Sequence, residues 1–256
     1  MTSRFPSEFL SPSQLKEIEK RITGHVTAGR EDEAWEGLQE MLPAARRQEF
    51  VAASIAYLIA RGGFSTARSL EALEQLYSAH PKSETVLSVV GEALDRARDI
   101  HFLNSPPPEH SLFQQVTDTL AELAGRAKGG ESEVMLLEGL STAARMMARQ
   151  RDDLAERSYQ RLIELAPEAS GHQYNFGLFL KTHGRFREGI AANQRANSLS
   201  GEPYDVATEW NLGICATGAG EGGTIRQSIT STNRQSRSTS SWGRLPRLPS
   251  SIRSRS

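Results

Sequence analysis

The phrase Tyr174-Asn175-Phe176-Gly177 returns 36 residues later as Trp210-Asn211-Leu212-Gly213. Internal self-similarity at such a period constrains a chain more than composition does, because one supersecondary unit must then be used again and packed against its neighbours. Behind the first phrase lie Gly184-Arg185-Phe186-Arg187-Glu188-Gly189-Ile190, then Ala196 and Leu199. A step of 34 residues upstream sets Ala155 under Gly189, Tyr159 under Asn193, Leu162 under Ala196 and Pro167 under Gly201. Nearer the N-terminus, Gly29 and Ala34 match Gly62 and Ala67 at a spacing of 33, while Leu38 and Met41 meet Glu71 and Glu74.

The repeated unit reads as helical. Alternation of β-branched and aromatic residues, the mark of strands, is nearly absent. Apolar residues recur at three and four instead. Leu154, Ala155, Ser158, Tyr159, Leu162 and Leu165 fall on one face, with Glu156, Arg157, Arg161 and Glu164 mostly on the other. Ser11-Pro12 followed by Gln14 reads as a capping box with proline in the first turn. Gly29, Gly62-Gly63, Gly129-Gly130 and Gly184 separate the periodic blocks, and Pro43, Pro81 and Pro167 close others. The pattern predicts helices over 12–28, 31–42, 45–61, 64–79, 83–101, 110–128, 132–149, 152–166, 170–183, 186–199 and 204–217. Short turns between them favour antiparallel hairpins. Periodicity alone also admits a closed, non-repetitive helical bundle, which would lack an extended groove.

These residues resemble the tetratricopeptide repeat: an aromatic or large residue, Leu-Gly, a later Tyr, then Ala, an aromatic, Ala and a closing Pro. The match is best over 170–201, fair over 136–169, truncated over 205–220 and weak over 12–128, where Ser105-Pro106-Pro107-Pro108 interrupts a hairpin. The resemblance implies an all-α, TPR-like α-solenoid of stacked antiparallel hairpins. Residues 1–130 form a degenerate helical-repeat region, 131–220 the TPR-like repeats, and 221–256 a tail. Gly177, Gly213, Ala143, Ala155 and Ala196 are the small residues expected where paired helices meet closely. Phe176, Leu180, Phe186, Tyr159 and Leu162 are expected to fill the space between hairpins. The last repeat shows a first helix, Val206 to Thr217, with no recognisable second, which leaves an apolar face open to self-association.

The net charge of −1 conceals a division. Residues 221–256 hold seven arginines, no lysine, ten serines and one acid, Glu221, for a charge of +6 that leaves −7 on residues 1–220. A segment of that composition buries too little apolar surface to offset the entropy of ordering, so the tail is read as disordered. Its arginines could neutralise phosphates, and nucleic-acid or anionic-surface binding is the alternative function.

Chemistry is sparse. Gly218-Ala219-Gly220-Glu221-Gly222-Gly223 fits G-x-G-x-x-G, yet a helix precedes it where a dinucleotide loop needs a strand. Ser141, in Gly139-Leu140-Ser141-Thr142-Ala143, lies inside a helical pattern, unlike a nucleophile elbow. The six histidines never take His-x-x-x-His spacing. Cys215 is the one cysteine, so intramolecular disulfides and four-cysteine zinc sites are excluded, and a buried structural thiol is expected. No catalytic residue, metal or cofactor is expected. The longest run of apolar and small residues, Phe50 to Ala60, is too short to span a bilayer, and MTSRFPSEFL lacks a signal-peptide pattern. A cytoplasmic setting is the expectation.

What remains is recognition of another protein. The resemblance implies that Asn175 and Asn211, just before the large-residue–Gly pair, face a groove, where an amide can both donate to and accept from a peptide backbone. Tyr174, Leu178, Lys181, Trp210 and Ile214 are expected on the same face. Tyr174 and Leu178 stand where an acidic-tail clamp would need lysine and asparagine, so chaperone C-termini are poor candidates. The expected protein is a non-enzymatic adaptor that holds a peptide or helix of an unidentified partner.

Overall fold

A computed structural model describes residues 9–98, 107, 109–200 and 206–220. The expected tail, residues 221–256, lies outside them. Among the described residues all regular structure is helical: α1 (Pro12–Thr27), α2 (Glu31–Ala45), α3 (Glu49–Ala60), α4 (Thr66–Ala79), α5 (Glu84–Ala93), α6 (Leu112–Arg126), α7 (Gly130–Met146), α8 (Asp152–Leu165), α9 (Ser170–Thr182), α10 (Phe186–Leu199) and α11 (Val206–Gly218). Short 3-10 turns follow α5 (Leu94–Arg96) and α7 (Ala148–Arg151). The chain has the expected all-α, tetratricopeptide-like architecture of antiparallel helix hairpins.

Local rules account for most boundaries. Ser11 and Gln14 form a reciprocal capping box, with Ser11 N donating to Gln14 Oε1 at 2.9 Å and Gln14 N donating to Ser11 Oγ at 3.4 Å. Gly29, Gly62, Gly129 and Gly184 take φ of +70°, +83°, +89° and +71° between helices, which only glycine adopts without steric cost. Two expectations need correction. Pro43 does not end α2; the helix runs on to Ala45. The block predicted over 83–101 leaves α-geometry at Ala93 for a 3-10 turn.

The chain divides into two compact units, one ending at Ser158 and the other starting at Tyr159. In the first, α5 packs on α3 and α7 more extensively than on its sequence neighbours α4 and α6. These alternate helices carry the core: Ile55 and Ile59 of α3, Val86, Leu87 and Val90 of α5, and Leu136 and Leu140 of α7 are buried. Contact between α5 and α7 is made through glycines. A Cβ on Gly91 would stand 2.7 Å from the Gly139 carbonyl oxygen, and one on Gly139 would stand 2.8 Å from Ser88 Cα. The start of α1 is fastened to α3 by Gln48, whose Oε1 accepts from Leu10 N at 2.8 Å and whose Nε2 donates to Leu10 O at 3.1 Å.

In the second unit α10 packs between α9 and α11. Its aromatic core joins Tyr159 to Phe176 and Phe179, with ring centroids 6.0 and 5.7 Å apart. Tyr159, Leu162 and Leu180 are buried as the repeat implies, whereas Phe176 and Phe186 are only half-buried. Gly177 is required: a Cβ there would stand 2.9 Å from Asn193 Cγ. Asn193 is fully buried, and its Nδ2 donates to Gly189 O at 2.7 Å. Gly213 differs from the expectation. Nothing described lies within 4 Å of a Cβ built on it.

Candidate functional site

The predicted site residues all belong to α9 and α11 of the second unit. On α9, Tyr174, Leu178 and Lys181 follow one another at helical spacing, and each is half-buried. Asn175 beside them is exposed. On α11, Trp210 is 72% exposed and Ile214 38%. One turn before Trp210 stands Val206, 80% exposed, which the sequence reading did not single out. Its spacing of four from Trp210 was the available signal. Val206, Trp210 and Ile214 thus make an apolar row along one side of α11. A helix normally turns such a row toward a neighbour.

The two asparagines of the repeated phrase differ in surroundings. Asn211 is 2% exposed, and its Oδ1 accepts from Lys181 Nζ at 2.5 Å. Its Nδ2 is buried without a hydrogen-bond partner. Asn175, 36 residues earlier, presents its amide to solvent. The Lys181–Asn211 bond joins the C-terminal part of α9 to the middle of α11.

Charge is scarce on α11. Glu209 is its one ionisable acid and takes a hydrogen bond from Asn197 Nδ2 at 3.0 Å. Cys215 is buried, and burial pushes its thiol pKa up, against the lowering effect of Lys181. A thiol held protonated packs as a small apolar group. His183 closes α9, where its Nδ1 lies 2.8 Å from Phe179 O. Ser141 is buried and donates to Glu138 O at 3.0 Å, which is a structural role. Among the described residues no group of three or more His, Cys, Asp or Glu is placed to hold a metal ion. No described helix is long and apolar enough to cross a membrane.

No family model matches the chain, and no curated protein matches it. Among solved structures, a crystal structure of MamA protein shares 15% identity at a TM-score of 0.45, covering 72% of this chain and 91% of that one. A MamA point mutant shares 17% identity at a TM-score of 0.43, covering 88% and 98%. The MamA AMB-1 structure, also 17% identical at 0.43, covers 90% and 96%. The fold assignment stands on the helix hairpins themselves.

Proposed function

We propose that the chain is a non-enzymatic protein-interaction adaptor, and that the α9–α11 face of its second unit docks a peptide or helix of a partner protein. The observation that carries this reading is the exposed row Val206, Trp210 and Ile214 on α11. Singly exposed apolar residues are ordinary; a continuous row that includes a tryptophan marks an interaction surface. Tryptophan is also the residue type most enriched among binding hot spots. Tyr174, Leu178 and Lys181 extend the surface along α9, and the exposed Asn175 offers an amide to a backbone.

Pull-down with the full chain, followed by peptide identification and titration of the identified peptide, tests the proposal. Trp210→Ser is expected to weaken that peptide's binding by about 30-fold, the effect of losing a hot-spot anchor of about 2 kcal/mol. Asn175→Ala is expected to weaken it less. Undiminished affinity in Trp210→Ser would remove the face from consideration. The same row could meet a second copy of the chain. A concentration-dependent dimer in sedimentation, abolished by Trp210→Ser, would assign the face to self-association instead.

A further inference from the structure

The second unit contains, in its own packing, a contact that its last helix leaves incomplete. α9 and α11 carry the same phrase 36 residues apart, and α9 meets α10 at the glycine of that phrase. A Cβ on Gly177 would stand 2.4 Å from Asn193 Nδ2, and one on Gly189 would stand 3.5 Å from Gly177 O. Asn193 Nδ2 returns to Gly189 O at 2.7 Å, so one buried amide fills the space that two glycines open. Among the described residues α9 and α10 form the most extensive helix pair. At the matching place on α11, nothing described lies within 4 Å of a Cβ built on Gly213. Gly213 follows Trp210 by three residues and Val206 by seven, so the open glycine and the exposed apolar row share one face. The opposite side of α11 is already taken. Asn211 accepts from Lys181 of α9, and Cys215 Sγ lies 2.9 Å from the position of a Gly189 Cβ on α10.

We propose that the occupant of this face is an amphipathic α-helix of a partner protein, which lies against α11 as α10 lies against α9 and crosses it at Gly213 with an asparagine or another small side chain. This rests on the reading of the α11 row as a docking surface, and adds that the ligand is a helix rather than an extended peptide. The α9–α10 interface supplies the geometry, and the shared phrase carries it one repeat onward to α11. A glycine at a crossing lets two helix backbones approach closely, which an extended strand has no need of. Residues 222–235, which stand 36 after α10, do not repeat it. They hold two large apolar residues, Ile225 and Ile229, among glycines, serines and threonines of low helix propensity. Charge agrees with an apolar docking side on the partner. Val206, Trp210, Gly213 and Ile214 are uncharged, and Glu209, the one acid of α11, accepts from Asn197 Nδ2. Apolar residues of the incoming helix would then cover Val206, Trp210 and Ile214 at helical spacing, as helix-in-groove ligands do.

The probe is a fluorescein-labelled peptide with the sequence of residues 184–201, which spans α10, titrated with the full chain and read by anisotropy. Saturable binding is expected, and its absence would overturn the proposal. The same peptide carrying Asn193→Pro cannot form the helix and is expected not to bind; equal binding would overturn the helical ligand. In the chain, Gly213→Leu is expected to leave the circular dichroism and the unfolding midpoint unchanged, because the new side chain enters open space. In the complex it blocks the crossing, and affinity is expected to fall by about tenfold or more. Should Gly213→Leu not fold, Asn193→Trp in the peptide replaces it and is expected to cause the same loss from the other side. Weakening by Trp210→Ser with full affinity in Gly213→Leu would keep the row as a docking surface and overturn the helix crossing. Full affinity in both would remove the face altogether. A dimer of the full chain that the peptide fails to compete away would give the face to a second copy and overturn the partner helix.

Discussion

Lys181 Nζ donates to Asn211 Oδ1 across 2.5 Å, joining α9 to α11 through a side chain that is 2% exposed. Its repeat-related counterpart, Asn175, faces solvent. The two should therefore separate under mutation. Asn211→Ala is expected to lower unfolding stability by about 1–2 kcal/mol, since it strips an acceptor from a charged donor in a buried place. Asn175→Ala is expected to stay within about 0.5 kcal/mol of the parent, as exposed substitutions do. Urea unfolding followed by circular dichroism reads both.

A tighter constraint operates at Gly139. A Cβ there meets Ser88 Cα at 2.8 Å and its carbonyl carbon at 3.0 Å, and helix backbone cannot move aside as a flexible side chain can. Gly139→Ala is expected to cost about 1–3 kcal/mol as overpacking. Gly213, inside α11 with nothing described near it, should respond in the opposite sense. Gly213→Ala is expected to gain about 0.5–1 kcal/mol from helix propensity. Thermal unfolding of the two variants compares them directly, and a destabilised Gly213→Ala would show that α11 is covered there.

Ala148 holds φ of +45° at the start of the 3-10 turn after α7, a left-handed conformation that an alanine adopts at a cost. Ala148→Gly is expected to raise stability by about 1 kcal/mol, because relief of the Cβ strain outweighs the added freedom of the unfolded chain. An unchanged or lowered urea midpoint would show that the turn relaxes when the methyl group is present.

Trp210 supplies the opposite kind of test, a large side chain whose loss should hardly affect folding. At 72% exposure it buries little area in the isolated chain. Trp210→Ser is expected to leave the unfolding midpoint nearly unchanged while it reduces partner binding or dimer formation. A large drop in stability would mean that the indole is core.

Much of this fold was legible because its rules are local. Hydrophobic spacing, the Ser11–Gln14 cap and the left-handed glycines act within a few residues, and they located the helices. Pro43 misled because a proline ends a helix only when the cost of one lost hydrogen bond and a ring clash exceeds what flanking packing returns. Met41, Leu42, Ala44 and Ala45 are all buried around it, so packing prevailed. Gly91 and Gly139 were opaque for a different reason. They lie 48 residues apart, and no period in the sequence pairs them. In the second unit, Gly177 was readable from its repeat phrase, whereas Gly213 carried the same phrase without the same neighbour. A repeat motif transmits backbone register; whether a given copy of its side chain is buried depends on what the rest of the chain sets against it.

The grip of Gln48 on Leu10 has a mechanical side. Both peptide groups of that residue are clipped by one amide reaching from the cap of α3, 38 positions along the chain. Tension applied to the N-terminus, by a tethered bead or a fused domain, would load this two-bond clip before it could unwind the first helix. Its failure would register as a small early step ahead of any larger extension in a pulling trace.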